Sequence, residues 1–233
     1  MKLWVWMRCI PALMVMDACL ATCYAQYRVL PGKADSDGCM PTTPARVCLG
    51  ATGEAHCYAP PNDKHGSSEK EEYTFGLEPK AKAVGRFNAQ ELTLFTAMFS
   101  GCGSGTLTHL SLLTVRDGQF ANLLPKVELT EQSEYKFWSF PQVSSLPILV
   151  TADFIWDFDS MKKSNYSEET HFARHRYTIS LYMFDSKSSQ YVQAARYETT
   201  KKYPGLDNVD EIHVLDAERP AILAKLRRSV PSQ

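Results

Sequence analysis

Residues 177–199 read YTISLYMFDSKSSQYVQAARYET. From Tyr177 to Phe184, β-branched, aromatic and small polar residues alternate with a period of two, the mark of a half-buried strand. Asp185-Ser186-Lys187-Ser188-Ser189 supplies turn chemistry, and Tyr191 to Thr199 returns as a second strand. The segment is therefore expected to be a β-hairpin, and its pattern recurs upstream. Thr106 to Arg116 and Gln119 to Leu124 flank Asp117-Gly118, the strongest short hairpin signal. Pro147 to Phe158 (PILVTADFIWDF) reads as a strand with Phe154, Trp156 and Phe158 on one face and Asp153, Ile155 and Asp157 on the other. Val127 to Thr130 and Glu134 to Phe140 are shorter strands. Leu92 to Ser100 leans to strand through Thr93, Thr96 and its aromatics, although Asn88 could cap a helix there. One helix is expected at the C-terminus, capped by Asp216, with Pro220 in its first turn and Ile222, Leu223 and Leu226 as its apolar stripe. Lys225, Arg227 and Arg228 suit its last turn. Seven or eight short strands and one helix predict a mainly β chain, an antiparallel β-sandwich or barrel-like domain with one C-terminal helix.

The chain has 233 residues, with 25 Lys plus Arg against 26 Asp plus Glu and a formal charge of −1. That balance argues against nucleic-acid binding, which needs a basic surplus or stripe. With 44% hydrophobic and 22% charged residues, the composition is that of a packed globular chain.

Residues 1–25, MKLWVWMRCIPALMVMDACLATCYA, have the order of a secretory leader: Lys2 and Arg8 first, an apolar core from Ile10 to Leu20, and Cys23-Tyr24-Ala25 at the end. The apolar stretch is short for a transmembrane helix, and Asp17 interrupts it. The expected cleavage follows Ala25. Leu20-Ala21-Thr22-Cys23 also resembles a bacterial lipobox, which would place a lipid anchor at Cys23. Removal of the leader leaves 208 residues and four of the seven cysteines: Cys39, Cys48, Cys57 and Cys102. In an exported chain these are expected to form two disulfides, with three connectivities open. Residues 26–72 are rich in Cys, Pro and Gly and read as a loop-rich head that cross-links would hold together. NDKHGSSEKEE at 62–72 reads as an exposed linker, and residues 73–233 form the β-rich body.

No complete catalytic motif is present. Gly101-Cys102-Gly103-Ser104-Gly105 lacks the Lys of a phosphate loop and the spacing of a nucleophile elbow, so it reads as a tight turn. Cys102 is expected in a disulfide to the head, not as a nucleophile. His171 and His175, four apart, face one side on a helix or a strand, and with Asp153 and Asp157 they make a candidate metal-ligand set. Asp157-Phe158-Asp159 begins like a calcium loop, with Glu168 at position twelve but Lys162 where glycine is needed. Trp138 and Trp156 could belong to an aromatic ligand platform, and Asn165-Tyr166-Ser167 matches a glycosylation acceptor.

The body resembles a group of exported bacterial β-rich proteins of unknown function. The likeness rests on the glycine-rich turn at 101–105, LPILVTADFIWDF at 146–158, THFARHRY at 170–177 and KYPGLD at 202–207, and spans roughly 73–228. It implies export and a compact β body, and carries no activity, cofactor or catalytic residue with it. The expectation is an exported binding module for a protein or small-molecule ligand, with Trp156, His171 and His175 as contact residues. A metal-assisted hydrolase using Asp153, Asp157, His171 and His175 is the alternative.

Overall fold

The computed structural model describes residues 27–50, 56–64, 72–102, 105–155, 174–204 and 213–229. The leader with Cys23, the Gly103-Ser104 pair, and residues 156–173 with Trp156, Asp157, Lys162, Glu168 and His171 lie outside them. The strands are β1 (Tyr27–Leu30), β2 (Arg46–Leu49), β3 (Cys57–Tyr58), β4 (Asp63–Lys64), β5 (Glu72–Tyr73), β6 (Leu77–Phe87), β7 (Gln90–Ser100) and β8 (Thr106–Arg116). They continue as β9 (Gln119–Asn122), β10 (Val127–Thr130), β11 (Glu134–Trp138), β12 (Ile148–Phe154), β13 (Tyr177–Asp185) and β14 (Gln190–Glu198), and helix α1 (Val214–Ser229) follows.

All pairings between these strands are antiparallel. The head strands run β1-β2-β3. The central sheet has the order β10-β8-β7-β6, with β9 also on β8, and the second sheet runs β11-β12-β13-β14. The sheets keep open edges, so the body is a sandwich and not a closed barrel.

Alternation along the strands sorts the side chains into three cores. Leu92, Leu94, Leu110 and Leu112 of the central sheet meet Leu149, Tyr182 and Tyr191 of the second. The other face of β12 and β13, with Ile148, Val150, Phe154 and Ile179, is covered by Val214, Leu215, Ile222 and Leu226 of α1. The outer face of the central sheet, with Phe95, Ala97, Phe99 and Leu113, packs against Ala45, Val47 and Phe75. The order of layers is head, central sheet, second sheet, helix. Each sheet thus buries both faces, which explains near-continuous apolar runs such as LTLFTAMF.

Both expected hairpins form. Asp117 and Gly118 have φ of 50° and 75°, the backbone of a two-residue turn that matches strand twist. Asn88 and Ala89 make a similar turn between β6 and β7, with φ of 48° and 65°, so Asn88 caps no helix. Three expectations need correction. Strand β6 went unread, because Pro79, Lys80, Lys82 and Gly85 mask its period and two register shifts interrupt it, between Leu77 and Lys80 and between Ala83 and Gly85. The head contains strands as well as loops. Helix α1 starts two residues before Asp216, which places Pro220 beyond its first turn.

The two disulfides join Cys39 to Cys102 and Cys48 to Cys57. The first ties the head to the glycine-rich turn after β7. The second links register partners on β2 and β3. Head and body also meet where Gly32 N–H donates to the Gly76 carbonyl at 2.8 Å. A Cβ on Gly32 would lie 1.9 Å from the Thr43 carbonyl oxygen, so only glycine fits this approach. Among the described residues no helix is long and apolar enough to cross a membrane.

Candidate functional site: a polar cavity between head and central sheet

Strand β8 changes partners along its length. Its second half pairs with β9 from Leu113 to Arg116, and its first half pairs with β10 from Leu107 to Leu110. The chain leaves the sheet between Asn122 and Val127, and the Asn122 side chain fills the gap. Its Oδ1 accepts from the Leu112 amide at 3.0 Å and the Leu124 amide at 3.1 Å. With the oxygen so fixed, Nδ2 donates to the Tyr58 hydroxyl at 3.3 Å. Tyr58 is within 2.9 Å of Ser111 Oγ, and burial holds its phenol above the usual value, so it stays a protonated donor.

Beside this network lies a cavity of about 530 Å³, a normal size for a small-molecule site. Tyr58, Ala59, Pro61 and Asn62 come from the head, and His109, Asn122, Lys126 and Glu128 from the central sheet. His109 is 2% exposed, and neither ring nitrogen makes a hydrogen bond. Its Nδ1 lies 3.5 Å from Oε1 of Glu128, its register partner on β10, and that oxygen also makes no hydrogen bond. Glu128 Oε2 is 3.4 Å from the Lys126 ammonium at the solvent side. The Phe75 ring packs against the imidazole at 5.0 Å. The His109 imidazole and Glu128 Oε1 lie buried just beneath the cavity wall, with the Lys126 ammonium beside Glu128, so the polar groups nearest the cavity can both donate and accept. Ser111 is fully buried and engaged by Tyr58, so it is not placed as a nucleophile.

The metal-ligand set read from the sequence fares differently. Asp153 Oδ1 accepts from Thr130 N–H (2.9 Å), Thr130 Oγ1 (2.9 Å) and Ser133 Oγ (2.8 Å), which commits it to holding the β10–β11 turn. His175 is buried with its ring 4.2 Å from that of Phe154, and its backbone pairs with Tyr203. Phe154 and Asp153 are neighbours on β12 and face opposite sides, so the structure keeps Asp153 and His175 apart. Asp157, His171 and Trp156 lie outside the described residues. Among the described residues no three His, Cys, Asp or Glu side chains converge on a metal position. Trp138 packs edge-on to Phe140 at 6.1 Å beneath the Arg219 guanidinium.

The sequence reading passed over His109, Glu128, Asn122 and Tyr58. One signal was available. His109 and Ser111 stand two apart in the apolar run of β8, which puts two polar side chains on one buried face. No family model matches the chain, and no curated protein or solved structure matches it significantly, so the resemblance of the body to exported bacterial proteins stands on its quoted runs alone.

Proposed function

We propose that the chain is an exported binding module that takes a small polar molecule into the cavity over His109. One observation carries this reading: a buried imidazole at the cavity, with two ring nitrogens and a neighbouring carboxylate oxygen that make no hydrogen bond. Leaving each such group unsatisfied costs about 1–3 kcal/mol, and a fold tolerates that cost where a ligand recovers it. Export is supported by the leader pattern of residues 1–25 and by two disulfides, which persist in oxidising compartments.

The test is side-chain ¹⁵N NMR of His109, titrated with glucose, glycerol and the common amino acids. The reading expects saturable movement of the His109 resonances by one of these classes, calorimetric binding of the same probe that is lost in His109→Leu, and ring N–H exchange far faster than that of neighbouring core amides. A ring N–H that exchanges as slowly as the core, and moves with none of the probes, marks a sealed structural histidine and ends the proposal. Intact mass of protein from its own producer tests export. The expected chain starts at Gln26 and lacks four thiol hydrogens. A start at lipidated Cys23 would make it a membrane-anchored protein, and a full-length chain with free thiols would end the export reading.

A further inference from the structure

The sandwich opens along one side, where the edge strands β6 and β11 face each other across a groove of about 540 Å³. Its walls are apolar: Val84 and Leu94 from the central sheet, and Phe137 and the Tyr135 ring from the second. The rim breaks the pattern. Lys80 and Lys82 are register partners of Thr96 and Leu94, so they stand on the face that elsewhere forms the core between the sheets. Residue alternation calls for apolar side chains at both positions, and lysine occupies both. Lys136 borders the groove from β11, but its ammonium is turned to the helix side, held by Glu134 at 2.8 Å and Asp216 at 2.9 Å. Lys80 has a loose partner in Glu78 at 3.7 Å, both side chains being well exposed, and Lys82 has no acidic partner among the described residues. Among the described residues no carboxylate lines the groove.

Apolar walls beside the exposed lysines Lys80 and Lys82 complement a molecule that has a hydrocarbon chain and a single acidic end. We infer that this groove binds a long-chain carboxylate, with the chain between Val84, Leu94 and Phe137 and the carboxylate at Lys80 and Lys82. Inward lysines also protect sheet edges against pairing with other chains. Edge protection needs the charge but no apolar opening behind it, and the two roles separate by experiment.

The probe is 9,10-dibromostearate, whose bromines quench a tryptophan they touch. Trp138 borders the groove at the end of β11 with its ring on the helix side, and Trp156 is the one other tryptophan after residue 25. Quenching is assigned to Trp138 by its persistence in Trp156→Phe or by its loss in Trp138→Phe, so either variant suffices. The expected result is saturable quenching by the acid, binding at least tenfold weaker for its methyl ester, and about tenfold weaker binding of the acid to Lys80→Glu/Lys82→Glu, as for loss of a charge-complementary contact. Both lysines are exposed, so the double variant keeps its fold. Absence of saturable binding of the acid, by quenching and by isothermal titration calorimetry alike, overturns the inference. Equal binding of acid and ester, or of acid to the protein and the double variant, also overturns it. Self-association of the double variant with unchanged carboxylate binding would assign the lysines to edge protection alone.

Discussion

Glu134 on β11 and Leu215 in the first turn of α1 are joined by a 2.9 Å hydrogen bond from the Leu215 amide to Glu134 Oε2. The first amides of a helix have no partner within it, and a carboxylate there also complements the positive end of the dipole. This cap comes from a strand 81 residues earlier in the chain. Its other oxygen lies 2.8 Å from the Lys136 ammonium, which also reaches Asp216 and helps hold that carboxyl below its usual range. Loss of a capping group costs about 0.5–2 kcal/mol, so Glu134→Ala is expected to lower stability by about 2 kcal/mol and Glu134→Gln, which keeps an acceptor, by about half of that. Urea unfolding of the three proteins checks this order. An Ala variant with the wild-type midpoint would mean that the cap contributes nothing.

The two disulfides differ in the loops they close. Cys39–Cys102 spans 63 residues and Cys48–Cys57 spans 9. Chain-entropy arguments give about 4 kcal/mol for the first and about 2.6 kcal/mol for the second. Cys39→Ala/Cys102→Ala is therefore expected to destabilise the protein more than Cys48→Ala/Cys57→Ala, even though Cys48 is buried and Cys102 exposed. Thermal unfolding measures both. The reverse order would show that packing at Cys48 outweighs the longer link.

Four of the tyrosines whose phenols are raised tie stability to high pH most strongly. Burial, with the nearby Glu134 charge, pushes the Tyr177 phenol up to about 12. Burial likewise raises Tyr191, and burial with the Glu218 carboxylate raises Tyr197 and Tyr203. An unfolded tyrosine ionises near 10. The folded state therefore favours the neutral phenol, and this contribution is complete below pH 10 and is lost as pH rises towards 12 and beyond. Tyrosinate absorbance is expected to appear in two steps, exposed tyrosines first, with the second step coincident with loss of far-ultraviolet circular dichroism. A single early step with the fold intact would contradict the burial of these rings.

The β-hairpins were legible because each carries its own information. Tyr177–Asp185 alternates with period two, and Asp117-Gly118 can adopt the turn its strands need. Strand β6 was not legible because edge strands are built from residues that discourage pairing, here Pro79, Lys80 and Lys82. The start of α1 was hidden because local capping rules favour Asp216, whereas the group that caps it stands on β11. The polar cavity was the least legible. Tyr58, His109, Asn122 and Glu128 come from four strands and share no spacing, and His109 with Ser111 shows only as a polar interruption of an apolar run. The quartet of Asp153, Asp157, His171 and His175 looked more like a site because its members are close in sequence. Yet Asp153 and His175 lie on opposite sides of β12, since His175 packs on Phe154 and alternation turns Asp153 to the other face.

His109 separates a functional histidine from a structural one by the sign of its effect. A structural histidine in a core is hydrogen-bonded, and its removal leaves partners unpaired at about 1–3 kcal/mol. Neither His109 nitrogen has such a partner, and the nearest polar atom, Glu128 Oε1, is itself without a hydrogen bond. His109→Leu removes two unsatisfied polar atoms and gives up the ring contact with Phe75, worth about 1 kcal/mol. The gain from the first change offsets the loss from the second, so stability is expected to stay level or rise by about 1 kcal/mol. The paired change His109→Leu/Glu128→Gln, which also discharges the neighbouring carboxylate, is expected to rise further. The same variants should lose all response of the cavity to polar probes. Chemical denaturation of both proteins tests the argument, and a loss above about 2 kcal/mol in His109→Leu would return His109 to the structural core. Stability kept or raised while binding is lost is the signature of a residue retained for its ligand.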